Sequence, residues 1–346
     1  MSDQMLAIRA TGLVTSVGLS APAACAAIRA KLANPTETRF VDRDGEWIMA
    51  HEVPLEQPWR GRTKLAKMAA MAIDECIAPL GPAQRQGLPL ILCVAEQARP
   101  GRLEGLEDEL FLEIEAELGV HFAQESLVVP QGRVGVPVAL AQARKMVYEK
   151  GAPAVLIAAV DSLLSWPTLS VYERASRLLT ATNSNGFMPG EGAGAMLVGR
   201  PGGGAELLCT GLGFGVERAH VDSEEPLRAD GLVAAFKQAL ADAGCPLNEL
   251  DFRITDISGE HYYFKEAALA LSRTMRQRRE EFDFWHPAEC IGEAGAACGA
   301  AIVAVADAAC LKSYAPGRGI LCHMGTDGGR RAAMVMAFST ELPERP

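Results

Sequence analysis

The chain repeats itself, and that repeat restricts the folds open to it more than any single motif does. "IRATGLVTSVG" (8–18) and "LLCTGLGFGVE" (207–217) share Thr-Gly-Leu inside a strand-like run. Each is followed by a loop and an Ala-rich helical stretch, "TKLAKMAAMAIDECI" (63–77) and "GLVAAFKQALADAG" (231–244). Then "LPLILCV" (88–94) and "LDFRITDIS" (250–258) read as strands, "PVALAQARKMVYEKG" and "GEAGAACGAAIVAVADAACLKSY" as helices, and each helix leads into a further strand, "PAVLIAAVDS" or "RGILCHMGTDGG". The halves close on "GAGAMLVGR" and "RAAMVMAFS". Each half therefore reads strand, helix, strand, helix, strand, strand, with the division falling between residues 1–200 and 201–346.

A strand such as "AVLIAAV" is apolar at every position, which requires burial on both faces, and its alternation with helices implies a largely parallel sheet covered on each side. "AGAACGAAIVAVADAA" is apolar nearly all round and so belongs between layers. Two halves sharing a central helical layer give an α/β fold, a five-layer α-β-α-β-α sandwich. At 346 residues and 49% hydrophobic, the chain can bury such a core.

Charge and cysteine usage exclude several roles. Lys plus Arg at 33 against Asp plus Glu at 43 gives a net charge of −10, so no broad face attracts nucleic acid or anionic lipid. The N-terminus lacks a basic-then-apolar signal pattern, and no apolar run reaches the roughly 18 residues of a membrane span; a cytoplasmic protein is expected. Nine cysteines, with no CxxC pair, sit mostly in Ala- or Leu-rich stretches and read as small buried hydrophobes. No disulfide framework, metal or cofactor is expected.

One stretch is dense in glycine: "NGFMPGEGAGAMLVGRP" (185–201), with glycines at 186, 190, 192 and 194 around the lone acid Glu191. Glycine lets backbone approach backbone where a loop re-enters a packed sheet. A buried Glu191 would need backbone donors or a basic partner there.

"NGFMPGEGAGAMLV" closely resembles the stretch that ends the N-terminal half of the β-ketoacyl synthases, in the thiolase-like superfamily. Further resemblances follow in family order: "ATGLVTSVGLSAPAACAAIRAKLA" to the opening strand, loop and helix; "GAPAVLIAAVDSLL", with Asp161, to the strand after the nucleophile helix. "AAFKQALADAGCPLNELDFRI" resembles the segment before the first catalytic histidine, "IGEAGAACGAAI" the helix bearing the second, and "MGTDGGRRAAMVM" the closing glycine loop. The resemblance spans nearly the whole chain and implies a thiolase-like five-layer αβαβα sandwich built from two duplicated halves.

It also implies where catalysis would sit. Active members carry a cysteine on a tight elbow at a helix N-terminus, where backbone N–H groups and the helix dipole stabilise a thiolate. That elbow falls near "PQGRVGVPVALAQ", with the cysteine's place at about Val134, but residues 132–136 read Gly, Arg, Val, Gly, Val. No cysteine lies between Cys93 and Cys209, and Ser126 and Ser162 fall outside the elbow. Valine and arginine cannot form a thioester. The first histidine would come from "ITDISGEHYYFKEA", where His261, after Gly259 and Glu260, is the sole candidate. The second is replaced by Glu289, followed by Cys290, and the closing-loop phenylalanine by Asp327.

Three residues are thus weak catalytic candidates, Cys290, His261 and Glu289, with the helix dipole lowering the Cys290 pKa and Glu289 raising it. Arg133, Val134, Glu260 and Asp327 would line a vestigial pocket. All seven are expected to converge, the acids pairing with Arg133 to plug the cavity.

The insertion "PGRLEGLEDELFLEIEAELGVHF" (100–122) reads as an amphipathic helix whose acidic face could recruit a protein partner. A homodimer is expected through the strand near 155–160, paired across a two-fold axis. Three function classes follow from the resemblance. The first is a non-catalytic binding or assembly protein, as in accessory factors encoded with type VI secretion effectors. The second is a nucleophile-free, chain-length-factor-like subunit of a condensing heterodimer. The third is an acyl-thioester enzyme using other residues. Acyl-CoA or an acyl carrier protein is a candidate partner, an acyl carrier protein pointing to the second class.

Overall fold

The computed structural model describes residues 4–277 and 279–340. The first half runs β1 (Leu6–Val14), α1 (Ala21–Arg29), β2 (Thr36–Val41), β3 (Trp47–Ala50), α2 (Gly61–Ile77), α3 (Pro82–Arg85), β4 (Leu90–Val94), α4 (Glu109–Leu118), β5 (Leu127–Pro130), α5 (Gly135–Tyr148), β6 (Ala154–Ser162), α6 (Trp166–Arg174) and β7 (Glu191–Gly199). The second runs β8 (Glu206–Val216), α7 (Asp230–Ala243), β9 (Phe252–Thr255), α8 (His261–Thr274), β10 (Asp283–Trp285), α9 (Ala288–Ile291), α10 (Ala297–Leu311), β11 (Gly319–Gly325) and β12 (Arg330–Ser339).

Both halves have one topology. The first orders its strands β5-β4-β6-β7-β1 and the second β10-β9-β11-β12-β8, so corresponding strands occupy corresponding places. In each, the first three strands in that order run parallel, and the fourth runs antiparallel to both its neighbours. The halves join where Leu6–Ile8 of β1 pair with Leu207–Cys209 of β8.

The period-2 alternation of the strands shows the layers directly. In β4, Ile91 and Cys93 face a central core shared by α1, α5 and α10, whereas Leu90, Leu92 and Val94 face α2. In β12, Ala332, Met334 and Met336 face the same central core, and Ala333 and Val335 face α7. The central helix α10 is buried along nearly its whole length, as its apolar circumference requires. The order α2, sheet, α5 with α10, sheet, α7 is the five-layer sandwich.

Close backbone approach explains the glycine stretch. A Cβ on Gly190 would lie 2.3 Å from the Ile291 carbonyl oxygen, and one on Gly194 would lie 2.6 Å from the Ala300 Cβ of α10. Glu191 is 2% exposed and fully partnered: it accepts from Val53 N at 2.9 Å and Ser162 Oγ at 2.8 Å, and meets Lys64 Nζ at 2.5 Å.

Three expectations need correction. The sequence reading omitted β5 and β10, four- and three-residue edge strands too short to show a period. It also put the strand near 155–160 at a dimer edge, but β6 lies between β4 and β7, with both edges paired inside the chain. The open edge of this half is β5. Finally, the insertion forms a helix only over Glu109–Leu118, packed on α2 through Leu110 and Ile114. Its acids are engaged within the chain, Glu109 and Glu113 by Arg62 and Glu117 by Lys67. No helix among the described residues is long and apolar enough to cross a membrane.

Candidate active site

The elbow forms where the first half's edge strand turns into a central helix. After β5, the turn Gly132–Val134 leads without a break into α5, so Arg133 projects from a helix entrance while remaining 6% exposed. A buried guanidinium must find acceptors in nearly every direction. Nη1 lies 3.0 Å from Glu293 Oε2, and Nη2 lies 2.8 Å from Asp327 Oδ1 and 2.7 Å from the Tyr263 hydroxyl. Nε lies 3.7 Å from Asp256 Oδ2. These partners come from the residue after β9, the start of α8, the segment before α10 and the loop before β12, all in the second half.

A second arginine completes the cluster. Arg177, in the loop after α6, forms a bidentate pair with Glu260, both contacts at 2.7 Å, and donates to both Asp327 oxygens at 2.8 and 3.1 Å. Asp327 also accepts from the Tyr263 hydroxyl at 2.6 Å and the Tyr172 hydroxyl at 3.2 Å. Glu293 accepts from Ser258 Oγ and Gly295 N. The space left among these groups is about 10 Å³, roughly one water molecule. Tyr172, Arg177 and Asp327 also border a surface cleft of about 490 Å³ that takes in His220 and Arg330, so the cluster closes the inner end of that cleft.

Burial and charge set the protonation states. Burial alone would push the Asp327 carboxyl up, but Arg133, Arg177 and Tyr263 overcome it and hold the group well below the usual carboxylate range. Burial raises Asp256 to about 6 against the opposing pull of Arg133. It also keeps Tyr263 a neutral hydroxyl, far above its ordinary pKa. Cys298 Sγ touches the cluster, 3.6 Å from Glu293 Oε1, but burial and that carboxylate push the thiol well above its ordinary value. It is a thiol, not the thiolate that nucleophilic attack requires.

Of the seven residues singled out from the sequence, the structure gathers Arg133, Glu260 and Asp327. Val134 is buried beside them on the elbow but faces the central apolar core. His261 is exposed at the start of α8, where its backbone N–H donates to Asn185 Oδ1. Glu289 and Cys290 line a different cavity: Glu289 pairs with His286 at 2.5 Å and Lys31 at 3.8 Å. Cys290 sits inside the four-residue helix α9 rather than at the mouth of a long one, and burial first, then Glu289, raise its pKa.

The acid of this segment that reaches Arg133, beside Asp327 and Asp256, is Glu293, four residues further on, inside the "IGEAG" that opens the Gly-rich helix. That position carried a readable signal. Arg177, Tyr172, Tyr263 and Asp256 carried none, because their convergence depends on loop paths that no local pattern records.

Scanned against protein-family models and against curated proteins, the sequence matches none. Solved structures do match. A ketosynthase in complex with its chain length factor from Xenorhabdus doucetiae is similar at 14% identity, TM-score 0.76, over 96% of this chain and 98% of that one. The ishigamide ketosynthase/chain length factor matches at 15% identity and TM-score 0.76, over 97% and 99%. A β-ketoacyl synthase from Burkholderia phymatum STM815 matches at 15% and 0.71, over 98% and 100%. The chain has the thiolase-like ketosynthase fold. In this chain the turn carrying Arg133 leads into α5, and the arginine–carboxylate cluster occupies the space in front of it.

Proposed function

We propose that the chain is a non-catalytic thiolase-fold protein that works by binding and assembly. The observation that carries this reading is the elbow itself. Gly132, Arg133 and Val134 offer no nucleophile, and the Arg133 side chain fills the space where the family resemblance implies that an acyl group would bind. Arg133 and Arg177, with Tyr172, Tyr263 and the carboxylates of Asp256, Glu260, Glu293 and Asp327, fill the space beside Arg99 and Glu96, and removing either arginine would strand buried carboxylates.

A second reading specifies the assembly: a chain-length-factor-like subunit paired with an active ketosynthase. Its support is the full-length likeness to solved structures described as ketosynthases with chain length factors. The open outer edge of β5 offers the pairing surface, since an unpaired strand edge is a template for another chain. Light scattering, on the protein alone and mixed with an active ketosynthase, tests the assembly in both readings. A two-chain mass alone supports a homodimer, and a mixed two-chain mass with loss of the homodimer supports the heterodimer. A single-chain mass in both samples contradicts assembly through β5.

A further inference from the structure

A second cavity, of about 210 Å³, lies where α1, β10, α9 and α10 meet, and it shares no lining residue with the Arg133 cluster. Its walls are carbon-rich: Trp285 and Tyr314 stack nearly parallel, with ring centroids 6.3 Å apart, and Val305 of α10 and the buried Cys290 also line it. The lining contains one acid, Glu289, which Lys31 and His286 both engage. Burial keeps His286 below the ordinary histidine range, so near neutral pH the Lys31–Glu289 pair cancels. Arg29 remains. Its guanidinium lies 4.2 Å from the Tyr314 ring centroid and has no ion-pair partner among the described residues.

An apolar cavity with one uncompensated guanidinium at its wall is complementary to one kind of molecule. We propose that this cavity binds a compact hydrophobic carboxylate, with the carboxylate on Arg29 and the apolar body between Trp285, Tyr314 and Val305. A cavity of about 150 Å³ accepts benzene, so this one takes a body of about six to ten carbons. A single guanidinium edge matches one carboxylate in bidentate fashion. A dianion would leave one charge unpaired, because Arg29 is the single uncompensated cation of the lining, and an amine would be repelled by Arg29.

Octanoate is a suitable probe and octanol its uncharged control. Calorimetric titration of the full chain should show saturable binding of one octanoate per chain, with octanol about tenfold weaker or more. Arg29→Ala, at an exposed position, should weaken octanoate to the level of octanol and leave octanol binding unchanged. The proposal is overturned if the folded protein shows no saturable octanoate binding, or if Arg29→Ala binds octanoate as well as the parent. Ile28→Trp, which projects a larger side chain into the cavity, should abolish binding of both probes while the circular dichroism spectrum is retained; undiminished binding in that variant also overturns it.

Discussion

Arg133 Nη2 and Asp327 Oδ1 lie 2.8 Å apart, joining the elbow of the first half to the closing loop of the second across 194 sequence positions. Arg133 is buried and Asp327 lies mostly covered at the border of the cleft, so loss of either carboxylate or guanidinium leaves a poorly solvated charge. Arg133→Ala should therefore destabilise the protein by about 3–5 kcal/mol, the usual cost of breaking a buried pair. Urea denaturation of Arg133→Ala, Asp327→Ala and the double variant measures it. The two losses should fall short of adding by about 1 kcal/mol or more, because each removes the same contact.

Glu260 and His261 are neighbours in sequence with opposite environments. Glu260 is 5% exposed and holds Arg177 through two contacts, whereas His261 is exposed. Glu260→Ala should cost about 3–5 kcal/mol, and His261→Ala less than about 0.5 kcal/mol. Equal losses in the same denaturation assay would contradict this assignment of site residues.

Asp256 gives stability a defined pH dependence. Its carboxyl is raised to about 6 in the folded protein from an ordinary 3.8, so between those values the folded state binds the proton and the unfolded chain does not. Its contribution to stability is largest below about pH 4 and is lost as pH rises through 6, a difference of about 3 kcal/mol. His51 and His323, held near 4 and 3 by burial, act in the opposite sense as pH falls. Comparison with Asp256→Asn cancels their effect. The stability of Asp256→Asn relative to the parent should rise between about pH 4.5 and 7.5, and a flat difference would show that Asp256 does not titrate as described.

Gly190→Ala places a methyl 2.3 Å from a backbone carbonyl, and should cost about 1–3 kcal/mol or more. Gly328→Ala meets nothing within 4 Å and should be neutral to within about 0.5 kcal/mol. Melting temperatures of the two variants separate close-packed glycine from loop glycine.

Long apolar segments made the architecture legible in the sequence. The burial of β6, β7 and α10 follows from their composition, and the repeated order of strands and helices follows from the duplication. What the sequence concealed was short or non-local. β5 and β10 are too brief to show alternation, and the assignment of a dimer edge to β6 failed because β7, lying antiparallel beside it, covers the edge. The site divided in the same way. Arg133 and Asp327 stand at positions fixed by motifs, whereas Arg177 reaches them from a loop with no pattern of its own. The acid of this segment that joins the cluster is Glu293 and not Glu289, because the chain leaves α9 at Gly292 between them and sends the two carboxylates to different cavities.

Intact-mass spectrometry after incubation with acyl-CoA tests most directly whether the elbow has lost its chemistry. With Gly132, Arg133 and Val134 at the turn and Cys298 held as a buried thiol, the expected spectrum is that of the unmodified chain. A stoichiometric acyl adduct, abolished by Cys298→Ala or Cys290→Ala, would show that a thiol outside the elbow carries acyl groups and would contradict the non-catalytic reading.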